Sequence, residues 1–165
     1  VPVNFAWFEG AICFHGAREG RKAVAMQDGQ KVAFSVVKPY SMVPSYFSNT
    51  RMACPATQFY VSVHIEGIVE TIKDDNEKCK LLEALMHKFQ PEGGYEAIDA
   101  TNAMYTKMLS QTALWRIVPT NISMKAKMGQ NMTEERKNSV IKNLSERGSE
   151  LDIATMEAIQ KNGQK

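Results

Sequence analysis

The chain of 165 residues predicts an α+β fold that is mainly β: a small barrel of about six strands, with flanking helices and a helical C-terminal tail. Three observations carry that expectation. Residues 1–22 read as strand, tight turn, strand, then a glycine-flanked entry into a short helix with two adjacent cations. Thr57 to Ile72 hold one long strand pattern whose apolar phase slips at Gly67, as at a bulge or a sharp barrel bend. Strands do not alternate strictly with helices, which argues against a doubly wound parallel sheet.

The elements follow in order. Val1-Pro2-Val3-Asn4-Phe5 is the first strand, Glu9-Gly10 the turn, and Ile12-Cys13-Phe14 the second strand. A short helix runs from about Glu19 to Gln27, and Asp28-Gly29 turns the chain into a buried strand from Lys31 to Val37. Lys38 to Pro55 reads as irregular, broken by Pro39, Pro44 and Pro55, and holds Tyr40, Tyr46 and Phe47. In the long strand Phe59, Val61, Val63 and Ile65 alternate with Tyr60, Ser62, His64 and Glu66. Asp74 to Glu77 resembles a capping box, and Leu81, Leu82, Leu85, Met86 and Phe89 keep helical spacing up to the Pro91 stop. A second helix is expected from about Asp99 to Ser110, and a strand from Ala113 to Met128. Two closing helices are expected from about Thr133 to Arg147, and from a Ser149 cap to about Lys161. No linker, repeat or low-complexity segment divides the chain, so one domain over residues 1–165 is expected, with a barrel core at 1–130 and a helical tail at 131–165.

Composition bounds the function. The net charge of +2 gives no argument for nucleic acid or a membrane surface, and no apolar run approaches the roughly 20 residues of a spanning helix. Cys13, Cys54 and Cys79 are odd in number and widely spaced, so neither a disulfide framework nor a zinc site is indicated, and a reducing cytoplasm is the simplest setting.

Few residues can carry chemistry. Arg21 and Lys22 are either two solvated cations on an exposed helix or, one turn after His15-Gly16-Ala17, a clamp for a phosphate. His15 ends the second strand at the same mouth; it is a structural hydrogen-bonding residue or an acid–base group near a substrate, and is the one weak catalytic candidate. Asn4 is a polar strand residue or an amide facing a heteroaromatic ring. Trp115 is core packing or a stacking surface, and Lys125 with Lys127 lines one face of the last strand. No triad, carboxylate pair or metal set is visible, which favours a cofactor as the source of the chemistry.

Val1 to Phe5, Ile12 to Gly16, Glu19 to Lys22, Val32 to Phe34, Pro44 to Ser48, Ala53 to Pro55, Tyr60 to Val63 and Gly67 together resemble the FMN-binding split-barrel superfamily. The likeness is greatest to the 5-nitroimidazole resistance proteins, relatives of pyridoxamine 5′-phosphate oxidase. The stretch Ser123 to Asn131, with the basic helix after it, resembles flavin-binding transcriptional regulators of the same superfamily. The resemblance implies a six-stranded split barrel that forms a homodimer, with FMN in clefts between the subunits. It places Val3 and Asn4 at the isoalloxazine ring. His15, Gly16 and Ala17 fall at the ribityl–phosphate portion, and Arg21 and Lys22 at the phosphate. Tyr60 and Ser62 reach in from the partner, and Trp115 and Lys125 lie near the same cleft. It implies an FMN-dependent oxidoreductase that reduces a small molecule, such as a nitroimidazole, with a nicotinamide compound as reductant. The alternative is a flavin-binding regulator or sensor without turnover, suggested by Arg136, Lys137, Lys142 and Arg147 on one helix. Family members carry a helix and a strand ahead of the Pro2-Val3-Asn4 stretch, so a chain without them is expected to leave a sheet edge open.

Overall fold

A computed structural model describes residues 1–48 and 51–162. Five strands form one sheet: β1 (Ala6–Phe8), β2 (Ala11–Ala17), β3 (Lys31–Val43), β4 (Thr57–Ile72) and β5 (Thr112–Lys127), in the order β1-β2-β5-β4-β3. Five helices accompany them: α1 (Arg21–Ala25), α2 (Asp75–Phe89), α3 (Ala103–Gln111), α4 (Glu134–Arg147) and α5 (Glu150–Asn162). The chain falls into two compact units, residues 1–34 with 65–122 and residues 35–64 with 123–165.

In the first unit β1 and β2 form an antiparallel hairpin. Glu9 and Gly10 both take positive φ, 49° and 79°, the pair of left-handed residues that a two-residue turn needs to match strand twist. β2 then pairs antiparallel with β5, setting Ile12 opposite Ile117, Phe14 opposite Trp115 and His15 opposite Leu114. Asp74 caps α2 by accepting from Glu77 N at 2.9 Å, and α2 lays Cys79, Leu81, Leu82 and Leu85 on a core shared with Ala6, Ala11, Cys13, Ile72, Leu109 and Leu114. β1 and β3 stand at opposite ends of the strand order. Even so Phe5, just before β1, meets Phe34 of β3 edge to face at 5.0 Å. Lys88 fixes the junction, donating to Phe5 O at 2.7 Å with its ammonium 3.7 Å from the Phe5 ring centroid.

In the second unit Tyr40, Val43, Phe47, Phe59, Met128, Val140, Leu144 and Ile159 form the core. Thr133 caps α4 by accepting from Arg136 N, and Gly148, at φ 67°, ends it in the left-handed conformation. Ser149 Oγ accepts from Asp152 N as α5 begins. Asp152 is fully buried. It accepts from Arg147 Nε at 2.9 Å and Nη2 at 2.5 Å, from Ser41 Oγ at 2.5 Å and from Ser149 N at 3.1 Å. The Arg147 guanidinium, first among these partners, holds the carboxyl far below the usual carboxylate range.

Several expectations shift. Val1 to Phe5 lies outside any strand, because β1 begins at Ala6. β3 runs on to Val43 instead of ending at Val37; it stands at the end of the strand order, where a proline such as Pro39 forfeits no ladder hydrogen bond on its open side. α1 covers only Arg21–Ala25, and α3 starts at Ala103 because Asn102, not Asp99, is its cap. The burial phase of β4 continues through Gly67 to Val69 and changes only before Ile72. Gly67 answers another need: a Cβ there would stand 2.5 Å from both Ile117 Cγ2 and Val118 O, so the residue lets β5 approach. Six strands were expected, and the described residues form five.

Candidate functional site

The site of the first unit grows from the end of β2. Gly20, at φ 100°, turns the chain into α1, and no side chain caps that helix. Lys22 then folds back over β2. Its Nζ donates to His15 O at 3.1 Å and lies 5.9 Å from the Trp115 ring centroid. Only glycine permits this at position 16, since a Cβ there would meet Lys22 Nζ at 2.4 Å and Cε at 2.5 Å. Trp115 is buried and tilted against Phe14, ring centroids 5.7 Å apart, so the indole is a fixed wall. His15 keeps an exposed edge. Burial of the rest of the ring, and then the Lys22 charge, hold its pKa below the ordinary 6.5, so it is neutral at neutral pH.

Beside this cluster opens a cleft of about 350 Å³, walled by Trp115, Thr112, Thr71 and Gln27, with Arg18, Lys73 and Lys78 contributing positive charge. Lys78 is satisfied by Asp75 Oδ1 at 2.6 Å and Leu109 O at 3.4 Å, and Lys73 faces Asp28 at 3.5 Å. Arg18, Arg21 and Lys22 have no carboxylate partner among the described residues, so the surplus charge gathers where β2 meets α1.

The structure therefore joins His15, Gly16, Lys22 and Trp115 in one cluster. Ala17 ends β2 opposite Thr112, and Arg21 is exposed at the first position of α1. Val3 and Asn4 precede β1 and make no hydrogen bond among the described residues; their stretch is held through Phe5. Tyr60, Ser62 and Lys125 belong to the second unit, the first two half-buried on β4 and Lys125 exposed on β5.

Sequence reasoning overlooked three arrangements. Arg116 bridges Glu70 (Nε to Oε2, 2.7 Å) and Glu77 (Nη1 to Oε1, 2.7 Å), tying β5 to β4 and α2. Ser35 Oγ and His64 Nδ1 pair at 2.9 Å, with no carboxylate on that imidazole among the described residues. Arg18, Lys73 and Lys78 share a cleft although 60 positions and two strands separate them in sequence, so no local pattern marks them. Among the described residues no group of three His, Cys, Asp or Glu could hold a metal ion, and no helix is long and apolar enough to cross a membrane. The arrangement can grip an anion and offer a neutral imidazole beside it.

Residues 1–126 match the family model described as pyridoxamine 5′-phosphate oxidase. No curated protein matches the sequence. Among solved structures, the chain is similar to a flavocytochrome from Azotobacter vinelandii, at 23% identity and a TM-score of 0.64, over 84% of this chain and 60% of that one. An FAD and heme binding protein from Mycobacterium smegmatis aligns at 22% identity and 0.64, over 84% and 64%. A candidate 5-nitroimidazole antibiotic resistance protein from Bacteroides thetaiotaomicron aligns at 19% identity and 0.57, over 75% and 66%. The chain thus spans under two thirds of the length of the first two and 66% of the third, and at these identities the likeness establishes a shared fold.

Proposed function

We propose, for a chain that belongs to the pyridoxamine 5′-phosphate oxidase family, that it is a flavin-binding oxidoreductase of the split-barrel type, holding FMN and working as a cytoplasmic homodimer. One observation carries the reading: Lys22 is folded onto the His15 carbonyl in space that only Gly16 leaves free, beside the fixed Trp115 indole. That cradle fits a phosphorylated heteroaromatic cofactor, with Lys22 and Arg21 on the phosphate, the backbone of His15, Gly16 and Ala17 along the polar chain, and Val3 and Asn4 toward the ring. Arg18 supplies further positive charge at the same mouth. FMN, when bound, supplies hydride or electron transfer to a small molecule such as a nitroimidazole, with a nicotinamide compound as donor. His15, neutral at working pH, hydrogen-bonds near the cofactor or holds a proton beside it.

The approach of Phe5 to Phe34 supports a barrel. A dimer is supported by β5, along which Val118, Ile122 and Met124 are exposed large apolar residues. Tyr60 and Ser62 are the residues we assign to the partner's flavin, with Lys125 near the same cleft.

The rival reading, a flavin-binding regulator or sensor without turnover, rests on the cations of α4, three of which have carboxylate partners. Lys137 is paired with Glu134, Lys142 with Glu146 and Arg147 with Asp152, while Arg136 donates to Pro55 O.

The test is a visible spectrum of the pure protein with an FMN titration. A flavin band that stays with the protein through gel filtration is expected; colourless protein that fails to retain added FMN sinks the reading. The double variant Arg21→Ala, Lys22→Ala is expected to bind FMN weaker by a few kcal/mol, at about 1.5–3 for each charge-assisted contact. Unchanged affinity in that titration removes the phosphate assignment.

A further inference from the structure

We propose that the second unit carries a binding site for a small molecule bearing an oxyanion group, a phosphate or a carboxylate, held by Arg136, Lys127 and Thr57. A cleft of about 300 Å³ opens there, with Thr57 from the start of β4, Lys127 from the end of β5 and Arg136 from the first turn of α4 in its wall. Arg136 Nη2 donates to Pro55 O at 3.2 Å, which fixes the guanidinium plane. Its Nε is buried and has no partner, and neither has the buried Oγ1 of Thr57 in the same wall. Buried donors left unpaired are rare because each costs its full desolvation. Two of them, one on a cation, therefore mark a place for an acceptor.

Charge decides which acceptor. Lys127 and Arg136 have no carboxylate partner among the described residues, and no carboxylate lines the cleft; Glu134, in the same turn as Arg136, is taken by Lys137 at 3.7 Å. A water would satisfy the Arg136 N–H and the Thr57 hydroxyl but leave two positive charges uncompensated. An oxyanion does both, receiving the guanidinium N–H, the hydroxyl and the ammonium together. Phe59 and Met132 supply an apolar flank, so the ligand is a small organic molecule with an anionic end.

Cys54 lines the cleft and is exposed, whereas Cys13 and Cys79 are buried, so alkylation of the native full-length chain by N-ethylmaleimide reads occupancy at Cys54. Inorganic phosphate and acetate are the two probes, each titrated against chloride at constant ionic strength. Saturable slowing of Cys54 alkylation by phosphate, by acetate or by both supports the site, and the stronger arm names the ligand's anionic end. Arg136→Gln is expected to weaken that protection about ten- to a hundredfold, the equivalent of one charge-assisted contact. Lys127→Gln, an exposed change at the end of a strand, is expected to weaken it about tenfold and carries the test if Arg136→Gln does not fold. Equal alkylation rates in chloride, phosphate and acetate overturn the proposal, as does protection of undiminished strength in the folded variants.

Discussion

A methyl group added at Gly16 meets the tip of a lysine, while one added at Gly67 meets backbone. The Lys22 side chain can swing aside, so Gly16→Ala is expected to leave stability within about 0.5 kcal/mol, as a tolerated surface change does, and yet to weaken FMN binding by displacing the ammonium. The Val118 carbonyl cannot move without disturbing β5, so Gly67→Ala is expected to cost about 1–3 kcal/mol. Urea denaturation of the two variants checks the contrast, and equal losses would refute it. His15 gives a pH signature. Its folded pKa is depressed, so its contribution to stability is present above the unfolded value near 6.5 and is lost as pH falls through the lower folded value. His15→Gln is accordingly expected to flatten the dependence of the urea midpoint between about pH 7 and 5; an unchanged slope would assign it to other groups.

At the scale of elements, two charged clusters join pieces of chain that local patterns leave unconnected. Asp152 begins α5 and anchors Arg147 at the end of α4 and Ser41 on β3. Removing it leaves Ser41 Oγ without its acceptor and Arg147 with only the Met42 carbonyl, so Asp152→Ala is expected to cost about 3 kcal/mol in urea denaturation. Its carboxyl is depressed, so the wild-type protein holds this stability above about pH 4 and loses it on further acidification, and the variant lacks that acid-side loss. A variant with wild-type stability and acid profile would make the cluster incidental. Arg116 is half exposed, and severing its two pairs with Arg116→Ala is expected to cost only about 1 kcal/mol. The same scale shows what could be read from the sequence. The bounds of β4 and the helix starts at Asp74 and Thr133 were legible, because period-two burial and capping chemistry are local. The start of β1 and the run of β3 through Pro39 were not, since they follow from which strands stand at the ends of the order. In the site, spacing alone set Arg21 and Lys22 one turn beyond Gly16, but not that the Lys22 side chain fills the space Gly16 leaves. The cations Lys73 and Lys78 and the orphaned Arg136 Nε depend on tertiary approach and leave no periodic trace.

At the scale of the whole molecule, the exposed Val118, Ile122 and Met124 set the assembly prediction. Sedimentation of the native protein is expected to show a dimer. The double variant Ile122→Asp, Met124→Asp is expected to sediment as a monomer with its circular dichroism retained, and to lose flavin if the partner completes the cleft. A dimer that survives both changes would place the interface elsewhere. The pairing of β2 with β5 has a further consequence. Ile12 and Ile117 face each other across roughly 100 residues of intervening chain, so a nascent polypeptide leaving the ribosome presents a finished β1–β2 hairpin long before its partner strand exists. At about 5–20 residues per second that hairpin waits several seconds with the apolar side chains of Ile12 and Phe14 uncovered. Translation speed and chaperone supply, more than final stability, are therefore expected to govern how much of this protein a cell recovers in usable form.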